Sequence, residues 1–122
     1  MRAIFALAAA LDLADGYLTL KMWADASDTL RRIPKHWRRH PDVLDRRLVV
    51  YTGMEQWADG RRLAKSATVD YPMRADLWYR LAVIEAGDGD YDAAMEAVRH
   101  CIAADLDGRF DVANDEALKD IW

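Results

Sequence analysis

Three groups of side chains in this 122-residue sequence have the types and spacing to do chemistry. In DGDYDAAMEAVR, residues 88–99, Asp88, Asp90 and Asp92 hold the first, third and fifth places of a calcium loop, where carboxylate oxygens would ring the ion. The loop fails further on. Its sixth place needs glycine and holds Ala93, and its twelfth needs a bidentate glutamate and holds Arg99, a cation. His36 and His40 stand four apart, a metal-ligand spacing on a helix, but no third ligand accompanies them. His100 precedes Cys101, a pair that could activate a thiol. Helical neighbours point about 100° apart, however, so His100 would not face the sulfur, and Cys101 reads as a small core residue. Serine occurs only at Ser27 and Ser66, and there is no glycine-rich phosphate loop. The chemistry points away from an enzyme and implies no catalytic residue, metal or cofactor.

The elements that carry these residues are helices. Apolar residues make up 52% of the chain, with only six Gly and three Pro, which favours an all-α domain spanning 1–122. One cysteine excludes an internal disulfide framework and suits a cytoplasmic setting. The net charge of −4 hides an asymmetry: residues 31–65 carry ten Lys/Arg against four Asp/Glu, and residues 66–122 carry five against thirteen. Such a pattern can steer a partner or a second copy. No apolar run reaches membrane-spanning length. Arg2 followed by AIFALAAAL resembles a short secretory signal. The spacing of Ile4, Leu7, Leu11, Ala14 and Leu18 also makes it the first amphipathic helix, the reading preferred here.

A step of 34 residues organises the chain. It links Trp23, Trp57 and Tyr91; Ala26, Gly60 and Ala94; Leu30, Ala64 and Val98; Ile33, Ala67 and Cys101; and Ala14, Leu48 and Ala82. Within each unit the apolar spacing is helical twice, with a break such as Gly87–Gly89 between. The aspartates of DGDYD fall in that break, where Asp side chains satisfy free N–H groups at the next helix start.

With these residues aligned, the chain resembles the tetratricopeptide repeat family. The third unit carries Trp78, Leu81-Ala82, Gly89-Asp90-Tyr91, Ala94 and Val98. The second carries Leu48, Tyr51, Trp57, Gly60, Ala67 and Pro72, and the first Leu13-Ala14, Tyr17, Trp23, Ala26 and Leu30. The departures are Glu85 for the usual Tyr, Arg47 for the usual Leu, and Pro34 where the first unit's second helix should still run. The resemblance implies a right-handed superhelical array of three helix hairpins, about 7–40, 41–74 and 75–108, with a capping helix over 109–122. Phe110, Val112, Leu118 and Trp122 would cover the last unit, with Asn114 or Asp115 as N-cap.

The family resemblance also implies that first helices line a concave groove, a place for a partner protein's segment. Helical spacing puts Leu11, Asp15 and Leu18, then Asp45, Val49 and Thr52, then Tyr79, Val83 and Ala86 on that stripe. Asp42 and Asp76 join it, with Arg46 and Arg80 at its flank. The family's clamp for chaperone C-termini would need cations or amides at Leu11, Asp15, Arg46, Asp76 and Arg80, and only Arg80 matches. The groove instead suits a basic segment with an apolar anchor, and Tyr79 is the leading contact. Two alternatives stand beside this protein-interaction module. Oppositely charged halves could build a homo-oligomer, and the basic stretch 31–47, with Trp37 for stacking and Arg38 and Arg39 for phosphate, could hold nucleic acid.

Overall fold

The computed structural model describes residues 2–122, with side chains from residue 6 onward; Ile4 and the Arg2 head of the signal-like segment fall outside the described side chains. Among the described residues the chain is all-helical, without strands. Six α-helices follow one another: α1 (Arg2–Thr19), α2 (Trp23–Arg31), α3 (Pro41–Gly53), α4 (Trp57–Asp70), α5 (Ala75–Gly87) and α6 (Tyr91–Ala104). Short 3-10 turns cover Lys35–Trp37, Val112–Asn114 and Glu116–Ile121. The step of 34 holds in the helix bounds: α2, α4 and α6 start at 23, 57 and 91, and α3 and α5 start at 41 and 75.

The turns inside the hairpins recur as well. Lys21, Glu55 and Gly89 all take positive φ, at 57°, 56° and 83°. The next amide in each case reaches back five residues at 2.9 Å, from Met22 to Tyr17 O, Gln56 to Tyr51 O and Asp90 to Glu85 O. That bond, with a left-handed residue before it, closes a helix by satisfying carbonyls its last turn would leave open. Asp90 then caps α6 by accepting from Ala93 N at 3.1 Å, and Asp88 pairs with Arg61. The calcium-like spacing is thus a helix stop followed by a helix start.

Each helix packs on its successor, and α1, α3 and α5 also touch in sequence. Leu7, Leu11, Ala14, Ala26, Leu30, Ile33, Val43 and Val50 form one apolar cluster. Leu44 and Leu48, on another side of α3, belong to a second cluster with Leu77, Leu81, Ile84, Val98 and Cys101. The helix α3 therefore joins the two. Between units, the indole of Trp23 lies against Gly53 and that of Trp57 against Gly87, again one step of 34 apart. A Cβ on Gly87 would stand 2.7 Å from Cζ3 of Trp57, so close an approach that only glycine fits.

One break that the sequence marked at Pro34 and one departure from the sequence reading are local. First, α2 stops at Arg31, well short of the length of α4 and α6, because Pro34 has no N–H to donate. Second, the tail forms 3-10 turns rather than an α-helix. Asp115 is its N-cap, accepting from Ala117 N at 2.9 Å. The Glu116–Ile121 turn packs on α5 and α6, as α5 itself packs on α3 and α4. Leu118 and Val112 are buried and Phe110 packs beside them, but Trp122 is 57% exposed and outside the core cluster.

Candidate interaction surfaces

The stripe expected to line a groove is largely engaged with the chain itself. Arg46 donates twice to Asp15, at 3.0 and 3.1 Å, and these bonds raise its pKa, Asp15 contributing most. Arg80 donates to Asp45 at 2.7 Å, and Asp45 is only 8% exposed. Arg74 bridges Asp42 at 2.9 Å and Asp76 at 2.7 Å. Each of the four aspartates thus already holds a guanidinium, for Asp15 and Asp45 one from the following unit. Spacing on one helix reveals who shares a face; it does not reveal that a long arginine on the next helix reaches across.

Other expected contacts are corrected in the same way. Leu11 and Val83 are buried in the two cores. Tyr79 does not face an open groove: its hydroxyl donates to Asp115 at 2.6 Å and its ring lies 5.2 Å from Phe110. Burial first, and that hydrogen bond second, push its pKa upward. The Arg80 guanidinium stands 5.3 Å over the same ring. Tyr79 therefore seats the tail. Leu18, Val49 and Thr52 are half-exposed, with the Thr52 hydroxyl turned back to Leu48 O at 2.8 Å.

What the stripe leaves accessible is a cleft of about 500 Å³ at the N-terminal ends of α3 and α5. Asp42 and Asp76 line it together with Met73, Arg74, Leu106 and Phe110. Asp105, Asp107 and Arg109 complete it, so four aspartates face two arginines there. Met73 and Leu106 are 71% and 85% exposed, two large apolar side chains at one rim. The carboxylate of Asp105 accepts from Phe110 N at 2.8 Å and Arg109 N at 2.9 Å, which lowers its pKa and fixes the turn into the tail. The sequence reading found Asp42 and Asp76 but missed Met73, Leu106 and Phe110. Exposed apolar residues in connections were the available signal.

The basic stretch 31–47 has internal duties. Arg38 donates to Ile33 O at 3.2 Å and Arg31 O at 3.1 Å, closing carbonyls at the end of α2. Arg39 pairs with Asp70 and donates to Ser66 at 2.9 Å. Trp37 is half-buried against the first core rather than free to stack a base. His40 is the N-cap of α3, its Nδ1 accepting from Asp42 N at 3.1 Å, and His36 sits in a 3-10 turn, so the two do not share a helix face. No group of three His, Cys, Asp or Glu among the described residues is placed to hold a metal. Cys101 is buried and its thiol is pushed up to about 11, chiefly by burial, while His100 stacks on Trp78 at 4.1 Å.

Glu85, where the repeat pattern expects tyrosine, is 3% exposed and held by Arg61, which also grips Asp88. The hydrogen bonds that Arg61 donates to Asp88 and Glu85 raise its pKa. This is an ion triad across the α4–α5 junction. No helix among the described residues is long and apolar enough to cross a membrane. Comparison with protein-family models, curated proteins and solved structures finds no match.

Proposed function

We propose that the chain is a tetratricopeptide-like array of three helix hairpins and acts as a non-enzymatic interaction module of the cytoplasm. The recurrence at 34 residues of helix starts, left-handed turn residues and Trp-on-Gly contacts supports the repeat reading. Its partner is a protein segment carrying Lys or Arg beside an apolar anchor. The observation that carries this is the cleft at the ends of α3 and α5, where Met73 and Leu106 stand exposed among four aspartates, Asp42, Asp76, Asp105 and Asp107, that outnumber its two arginines, Arg74 and Arg109. An anchor side chain would cover the two apolar groups, and its cationic neighbour would face the carboxylates, the arrangement that gives such interfaces their specificity.

The test uses substitutions that touch no core residue. Wild type and Met73→Glu/Leu106→Glu, both checked for helicity, serve as baits for host lysate treated with nuclease. A partner captured by the wild type and lost with the double variant supports the cleft, and its bound segment should map to a basic-apolar stretch by cross-linking. Equal capture by both baits refutes it.

A further inference from the structure

The strongest unassigned feature lies on the other side of α3. Arg47, Tyr51 and Met54 point about half a turn away from Asp45, Val49 and Thr52, so they serve a different surface. With Leu30, Arg31 and Arg38 they line an open cleft of about 600 Å³ between α2 and the start of α4. Ser27, Asp28 and Asp59 reach it too, but each carboxylate is matched: Asp28 by Arg31 at 3.7 Å and Asp59 by Arg62. Arg38 donates to two neutral carbonyls, those of Ile33 and Arg31. Arg46, Arg61, Arg74 and Arg80 all hold carboxylates, whereas half-buried Arg47 holds none among the described residues.

The repeat supplies an internal comparison. One step of 34 on, Ser27, Tyr51, Met54 and Arg47 become Arg61, Glu85, Asp88 and Leu81. There the protein provides its own anions, with Glu85 and Asp88 gripping Arg61, and apolar Leu81 stands where the first junction has arginine. The first junction has the reverse assortment: an extra cation, no carboxylate left over, and an open apolar floor. We propose that this cleft binds a small carboxylate with an apolar body. The carboxylate sits between Arg47 and Arg38, and the body lies on Tyr51, Leu30 and Met54. The cleft falls within the roughly 300–1,000 Å³ usual for small-ligand sites, and a guanidinium is the side chain best suited to a carboxylate. This site is separate from the partner cleft proposed above and does not depend on it.

The probe is 4-phenylbutyrate, with 4-phenylbutyramide as its uncharged counterpart, titrated into the full chain and followed by amide chemical shifts. The expected result is saturable binding of the acid with shifts centred on residues 27–31 and 47–56, and affinity about tenfold weaker for the amide, as loss of a charge-assisted pair implies. Arg47→Leu should weaken the acid by a similar factor and leave the amide unchanged. That variant places at 47 the residue already found at 81, so its fold should survive, and circular dichroism checks it. No saturable binding of the acid, equal affinity in Arg47→Leu, or shifts centred on Met73 and Leu106 would each overturn the proposal. So would concentration-dependent doubling of mass that Arg47→Leu abolishes without phenylbutyrate competing, since a second copy's carboxylates would then be the occupant.

Discussion

Adding one methyl group to Gly87 should test whether the units are joined as described. The new Cβ would lie 2.7 Å from Cζ3 and 2.9 Å from Cζ2 of Trp57, about 1 Å inside ordinary carbon contact. Trp57 opens α4 and its ring packs against the second core, so it cannot swing away freely. Overpacking of this kind costs about 1–3 kcal/mol. Replacing a helical glycine by alanine returns up to ~1 kcal/mol, less at a last turn. The net expectation for Gly87→Ala is a loss of about 1–2 kcal/mol, or a Tm lower by roughly 3–8 °C for a chain of this size. Gly53→Ala should behave alike, since its Cβ would stand 2.6 Å from Cδ2 of Trp23. Gly16→Ala is the control: nothing lies within 4 Å of its Cβ, and it should gain up to ~1 kcal/mol. Urea unfolding followed by circular dichroism measures all three. Trp57→Leu should relieve part of the Gly87→Ala loss, giving a double variant more stable than the two losses summed. If Gly87→Ala and Gly16→Ala prove equally stable, the Trp-on-Gly junction is not there.

Three further outcomes follow from individual sites. Glu55→Gly should stabilise by about 0.5–1 kcal/mol in the same assay, because Glu55 holds the positive φ that Gly89 holds in the next hairpin at no steric cost. At the ion triad, Arg61→Ala should destabilise by roughly 3 kcal/mol, as it strands a buried carboxylate, and Glu85→Ala by clearly less, because Arg61 keeps Asp88 and partial solvent access; the reverse order would mean Glu85 is not buried as a charge. Asp105 has a lowered pKa in the folded chain, so its support of the tail turn is complete above its ordinary range near 4 and fades as pH falls through the lowered value. Amide exchange at Arg109 and Phe110 should accordingly quicken on acidification, and in Asp105→Asn already at neutral pH, while the α3 and α4 amides hold; a turn indifferent to both changes would refute the role given to Asp105.

The parts of the fold legible in the sequence were those set by short-range spacing. A helix start at Trp23, Trp57 and Tyr91 is fixed within a few residues by cap geometry and apolar period, so the step of 34 translated directly into element bounds. The cap at Asn114 or Asp115, which the structure places at Asp115, and the burial of Leu118 were read for the same reason. What was not legible depends on reach between units. Arg46 meets Asp15 across 31 positions and Arg80 meets Asp45 across 35, and neither offset equals the period. Tyr79 looked free because its own helix offers it no core, and only the return of the tail through Phe110 and Asp115 covers it. The groove seen from spacing alone was therefore too acidic and too open.

The two junctions between hairpins show how one backbone repeat carries two chemistries. Both keep an indole against a glycine, the contact that sets the spacing of the helices. Away from that contact the side chains diverge. The second junction closes itself with Arg61, Glu85 and Asp88 over Leu81, a polar device that costs desolvation but leaves each charge answered. The first replaces Arg61 by Ser27 and the two acids by Tyr51 and Met54, which removes the self-paired triad, and then introduces Arg47 at a wall it shares with Arg31 and Arg38. Stability alone would favour leucine at that place, as at Leu81, since a half-buried guanidinium without an anion gains little from the protein around it. An arginine kept there is accounted for by an anion from outside the chain, and the comparison of Arg47→Leu in stability and in carboxylate affinity separates these two demands: the variant should be at least as stable as the wild type and bind the acid less well.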